Sequence, residues 1–183
     1  IWKSSGSFNK RRRTACSRKD LVNDERTKLT MKKKTKFVVE PFDDIRIIGI
    51  TTGMYDYQLA WNINKAAKLN LVKYKDLCSE EGDLFSFYLY DAGENSNTFN
   101  LVALSNENVR RVSFSPQTDY LLIIRNFIKD SDYQSFLTKI KSIPNVHYAY
   151  SIDLGKNSKI DTILEDIELH EMNIFDEINK RLK

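Results

Sequence analysis

From Phe37 onward, hydrophobic runs of period two alternate with stripes of period about three and a half, the marks of strands and helices in turn. Residues 45–51 (IRIIGIT) read as a largely buried strand punctuated by Gly53, and Asp56 is placed to cap a helix running to about Leu69. Residues 70–83 read as a polar loop. The apolar runs 84–90 (LFSFYLY) and 98–104 (TFNLVAL) flank a turn-rich stretch and predict a hairpin with a loose loop. Residues 109–114 suggest a short edge strand stopped by Pro116, and the continuous apolarity of 120–124 (YLLII) marks a central strand. Asp130 or Ser131 opens a helix carrying Phe136, Leu137 and Ile140, which ends before Pro144. Finally, Val146, Tyr148, Tyr150 and Ile152 alternate with His147, Ala149 and Ser151, as in a half-buried strand.

The last segment is the plainest helix. Ile160, Ile163, Leu164, Ile167, Ile174, Phe175, Ile178 and Leu182 follow one stripe, with acids early and bases late. Leu169 and Met172 fall off that stripe, which allows a break near Glu171. The element order predicts an α+β fold: a mostly antiparallel sheet of about five strands, helices on one face, and a C-terminal amphipathic helix. It is related to a ferredoxin-like arrangement with one extra strand. The expected organisation is a basic segment over 1–30, an α+β domain over 31–158 and the amphipathic helix over 159–183.

The helix opened by Asp56 carries the sharpest feature. Leu59, Ala60, Ile63, Ala66 and Ala67 form its core stripe, and at about 100° per residue Tyr57 and Trp61 fall nearly opposite. Asn64 and Lys65 lie beside them. An exposed indole and phenol one turn apart beside a cation would form a binding face. The ordinary expectation for large aromatics is burial, here under the C-terminal helix or another element. Asp119 and Tyr120, opening the central strand, are a second polar–aromatic pair, whose default is a structural hydroxyl bond.

Charge changes the picture only when divided. Residues 1–30 hold nine Lys/Arg against three Asp/Glu, leaving 20 basic and 22 acidic side chains from totals of 29 and 25. The body is therefore mildly acidic, which removes the compositional argument for a nucleic-acid-binding fold. Residues 1–30, with the run Lys10-Arg11-Arg12-Arg13, lack apolar periodicity and read as disordered. They suit a phosphate-gripping arm, a transit-like peptide or a localisation signal. The plainer reading is upstream sequence, because Met31 opens a natural start just before the first strand-like run.

Chemistry is sparse. The six glycines form no phosphate-cradling pattern, and two histidines with two distant cysteines supply no metal-ligand spacing. His147 and His170 read as surface residues. Cys78 reads as a plain loop cysteine rather than a nucleophile, and Glu80, Glu81 and Asp83 as a solvated loop end. No catalytic residue, metal or cofactor is expected. No stretch approaches the roughly 20 apolar residues of a membrane span, no signal-peptide core is visible, and Cys16 and Cys78 make no disulfide framework. The expected location is cytoplasmic.

Gly49-Ile50, the run Asp56-Tyr57-Gln58-Leu59-Ala60-Trp61-Asn62-Ile63-Asn64-Lys65, Phe85-Ser86-Phe87-Tyr88 with Tyr90, and Asp119-Tyr120-Leu121-Leu122-Ile123 occur in that order. Ile143, Val146 and Ala149-Tyr150 follow them. This pattern, over about residues 37–165, resembles a bacterial family named after its I-P-E-x-x-x-V-D-Y motif. At the naming motif the chain departs: Val112-Ser113-Phe114 stand at I-P-E and Thr118 at the valine, leaving Asp119-Tyr120. The resemblance implies a cytosolic protein of that domain extent, with no assigned activity or cofactor.

The first functional expectation is a non-enzymatic interaction module that binds a protein partner or itself through the Tyr57/Trp61 face. The alternatives are a small-molecule-binding or catalytic pocket between the Asp56 helix and the Asp119 strand, and RNA binding through the basic arm.

Overall fold

The computed structural model describes residues 44–79, 81–93, 96–106, 109–154 and 158–181. The basic segment 1–30, Met31, Glu80, Leu182 and the side chain of Ile178 lie outside the described residues.

The main sheet has six strands: β1 (Arg46–Thr52), β2 (Val72–Lys73), β5 (Phe87–Asp91), β6 (Thr98–Ala103), β7 (Tyr120–Arg125) and β8 (Val146–Ile152). They lie in the order β2-β5-β6-β7-β1-β8 with every neighbouring pair antiparallel. A separate two-stranded ladder pairs β3 (Leu77–Cys78) with β4 (Leu84–Phe85). The helices are α1 (Asp56–Ala67), α2 (Asp130–Lys141) and α3 (Ser158–Arg181). The connectivity β1-α1-β6-β7-α2-β8 is a split βαββαβ unit, extended beyond β6 by β5 and β2.

The sheet is the middle of three layers, because strands alternate their side chains between two covered faces. On one face Ile48, Ile50, Leu101, Leu122 and Ile124 meet Leu59 and Ile63 of α1 and Phe136 and Ile140 of α2. On the other, Ile47, Phe87, Val102, Leu121 and Ile123 meet Ile160, Ile163, Leu164, Ile167 and Ile174 of α3. The α+β class and the antiparallel sheet match expectation, and what covers the α3 stripe is the second face of the sheet.

Several local expectations change. The span 70–83 is not simply a polar loop: Leu71 and Leu77 are buried, and β2 and β3 form within it. Cys78 is therefore half-buried in a short strand. The run 84–90 divides at Ser86 into β4 and β5. Residues 109–114 form no strand; a single bridge, Ser105 with Arg110, takes its place. α3 runs unbroken past Glu171, with Leu169, Met172 and Phe175 exposed and Glu171 itself buried. Both helix caps fall earlier than expected, at Tyr55 rather than Asp56 and at Lys129 rather than Asp130 or Ser131, making Asp56 and Asp130 the first helical residues.

β8 departs from simple alternation. A register shift between Thr51 and Thr52 opposes Thr51 to Tyr148 and Thr52 to Val146, so Val146 joins the α1/α2 side. Ala149, expected outward, is buried there because that face too is covered, while Tyr148 is 66% exposed.

Candidate functional site

α1 builds the candidate site. Leu59, Ala60 and Ile63 bury one side of the helix against the sheet. At the helix start the Tyr55 amide donates to Gln58 Oε1 at 3.2 Å, and at its end Lys68 turns left-handed (φ 57°) and breaks the helical run. Tyr57 and Trp61 then point outward, 60% and 61% exposed. The expected cover does not exist, since α3 lies on the opposite face of the sheet. Tyr55 stacks on Tyr57 with ring centroids 5.8 Å apart, and Lys65 Nζ lies 5.1 Å from the centre of the Trp61 ring. Lys68, at the end of the helix, is exposed as well. Beside the rings lies an open depression of about 470 Å³, lined by Met54, Tyr57, Gln58, Trp61, Asn62 and Asn145.

The remaining expected site residues are structural. Asn64 accepts the Leu71 amide at 2.7 Å and donates to the Leu71 carbonyl at 3.1 Å, tying the turn after α1. Asp119 accepts the Thr52 amide at 3.0 Å and pairs with Arg110 at 3.0 Å, while Tyr120 donates its hydroxyl to the Met54 carbonyl at 3.0 Å. Asp119 and Tyr120 thus brace the loop that launches α1, and neither lines the depression.

A polar cluster flanks the start of α1. Lys73 Nζ reaches Asp56 at 2.9 Å, and the Tyr88 hydroxyl donates to the same carboxylate oxygen at 3.1 Å. Burial works against charge on both Asp56 and Lys73, yet hydrogen bonding from Ser86 and Lys73 holds the Asp56 carboxyl below its ordinary value. The Asp56 partnership likewise holds Lys73 above its own. Burial, then the Asp56 charge, pushes the Tyr88 phenol up; the same two causes push Tyr120 up to about 12. Protonated phenols and a paired carboxylate suit anchoring rather than proton transfer near neutral pH. A second open depression of about 470 Å³ lies between Arg110, Arg111, Ser79 and the first turns of α3. Its Arg111 is engaged by Asp166, and its Arg110 by Asp119 and the Thr118 carbonyl.

Pattern reading misses one buried polar group set. Glu171 accepts from Asn100 Nδ2 and pairs with Arg125 Nη1 at 2.7 Å under α3. Next to it, His170 is not a simple surface residue: Nε2 lies 2.9 Å from the Lys75 carbonyl and the ring sits edge-on to Phe87 at 4.9 Å. Burial lowers its affinity for a proton. Three interruptions of apolar pattern were the available signals: Glu171 on the α3 stripe, Asn100 inside β6, and Arg125 closing β7. Among the described residues no cluster of three His, Cys, Asp or Glu could hold a metal ion, and no helix is long and apolar enough to cross a membrane. No family model, curated protein or solved structure matches the chain.

Proposed function

We propose that this protein is a non-enzymatic, cytoplasmic interaction module that docks a partner protein on the outward side of α1, with Trp61 as anchor. One observation carries the reading: Tyr57 and Trp61 stay exposed one turn apart although Leu59, Ala60 and Ile63 of the same helix are buried inward. Aromatic side chains give large contact area for little ordering entropy, and they dominate the energetics of protein interfaces. Charge selects the partner. Lys65 lies over the indole and Lys68 is exposed at the helix end, while Asp56, the only acid of α1, is already engaged by Lys73 and Tyr88. The fitting partner is a segment that combines Asp or Glu with apolar side chains. The resemblance to the IPExxxVDY family brings no activity, so the surface alone supports this reading.

The test is a peptide array probed with the full chain, the Trp61→Ala variant and the Lys65→Glu/Lys68→Glu variant. Acidic–apolar peptides should be enriched by the wild type, and both variants should lose that enrichment by about tenfold or more. Enrichment that survives Trp61→Ala, or that favours basic peptides, overturns the proposal.

A further inference from the structure

The two edges of the six-stranded sheet are built differently. At one edge β2 is two residues long, and its Lys73 is tied to Asp56 and Asp76. Short strands and lysines are the devices that stop an edge from recruiting another strand. At the other edge β8 runs for seven residues, VHYAYSI, without a charged side chain or a proline. Among the described residues it pairs with β1 alone. The register shift lies near its beginning, so Tyr148 to Ile152 stay in regular pairing with Thr51 to Ile47. Among the described residues no strand pairs with the far side of β8, whose backbone groups offer a template for another strand.

We propose that β8 pairs antiparallel with β8 of a second copy of this chain, about a two-fold axis at Ala149. The inference is independent of the docking role of α1. Three features select a second copy over a foreign strand. First, the strand is self-complementary: His147 would face Ser151, and Tyr148 would face Tyr150, with no charge opposite another. Like residues of one sheet face meet because the two-fold preserves the alternation. Second, the pairing covers Tyr148, an exposed ring on a strand that is otherwise half covered, and aromatic cross-strand pairs stabilise antiparallel ladders. Third, the assembly closes. Among the described residues each six-stranded sheet has one open edge and one blunted edge, so two sheets joined at β8 end in β2 on both sides, and growth of that sheet stops at a dimer.

Sedimentation of the full chain across a concentration series tests this. The wild type should reach twice its 21.4 kDa mass. Tyr148→Lys should weaken association by about tenfold or more, because an edge lysine must be desolvated between strands. The monomer's melting temperature should not move, since position 148 is exposed. Hydrogen exchange provides the second readout: backbone amides within 146–152 that exchange freely in dilute solution should become protected in the dimer. A monomer at every concentration overturns the proposal. So does a dimer that Tyr148→Lys leaves intact, a dimer lost in Trp61→Ala instead, or association without protection of the 146–152 amides.

Discussion

The two faces of the sheet solve the same covering problem in different ways. On one face two short helices share the work, and their buried contacts are mostly aliphatic and aromatic, with polar atoms entering as hydroxyls. Tyr133, for example, donates to Ser151 Oγ at 2.8 Å. On the other face a single 24-residue helix covers the strands and places a carboxylate among the apolar side chains. Glu171 is only 6% exposed, and it is tolerated because Asn100 and Arg125 meet both of its oxygens. An apolar layer gains stability from area but accepts neighbouring registers. A buried charge pair has one good alignment, so Glu171 and Arg125 should set how far along the sheet α3 docks.

The largest expected effects test whether the two layers act as one unit. Leu59 and Leu164 are both fully buried, one under each layer. Leu59→Ala and Leu164→Ala should each cost about 2–5 kcal/mol in urea unfolding, through lost transfer energy and a residual cavity. Both should shift a single cooperative transition monitored by circular dichroism. A biphasic curve for Leu164→Ala, with a helical component melting first, would show α3 to be a separately folding layer.

Breaking the polar set ranks next. Glu171→Ala leaves the Arg125 guanidinium uncompensated beneath α3 and should cost about 3 kcal/mol. Pairing Glu171→Leu with Arg125→Met should recover part of that loss, because the two apolar side chains need no partners and only the Asn100 amide is left without one. A double variant no more stable than Glu171→Ala alone would remove the alignment role from this pair.

The same helix turn makes a smaller, pH-dependent contribution with two opposed parts. Burial lowers the His170 pKa; the Lys75 carbonyl, Asp76 and Glu177 pull it back up and the Lys75 charge pushes it further down. The unfolded chain therefore takes up its proton first, at the ordinary 6.5. Stability present above 6.5 is lost as pH falls from there through the lowered folded value. Burial raises the Glu171 pKa, against Arg125 and Asn100. There the fold binds its proton first, so stability rises as pH falls through that raised value towards 4.5. The urea midpoint of the wild type should fall on acidification below 6.5. His170→Gln should flatten that fall and Glu171→Gln should steepen it. Identical slopes in all three proteins would mean that neither group senses its burial.

Much of this was legible because it is local. The three- and four-residue spacing of Leu59, Ala60 and Ile63 fixes which way Trp61 faces, and the stripe from Ile160 to Ile174 announces a long amphipathic helix. What stayed hidden depends on partners far along the chain. Glu171 interrupts the α3 stripe and reads locally as the site of a break. It is instead a continuous turn whose charge is met by Arg125 and Asn100, on strands 46 and 71 residues away. Asn64 reads as part of a binding face until the turn after α1 brings the Leu71 backbone onto its amide. Val146 reads as sharing a face with Tyr150 and Ile152 because alternation carries no sign of the shifted register beside Thr52. Burial of Tyr57 and Trp61 was expected on size alone, and it fails because the helix that would cover them has its own face of the sheet to satisfy.

The smallest stability effect separates the docking surface from the core. In Trp61→Ala, the lost ring is 61% exposed and lies outside the buried core, and alanine favours the helix more than tryptophan does. The unfolding free energy should stay within about 0.5 kcal/mol of the wild type, as at surface positions generally. Leu59→Ala, two residues earlier on the same helix, should cost several times more. This contrast within one helix is what the docking proposal requires: partner binding must disappear in a protein that folds as well as before. A loss above about 1 kcal/mol in Trp61→Ala would show the indole to be part of the packed structure. Reduced binding in that variant would then report damage to α1 rather than removal of an anchor.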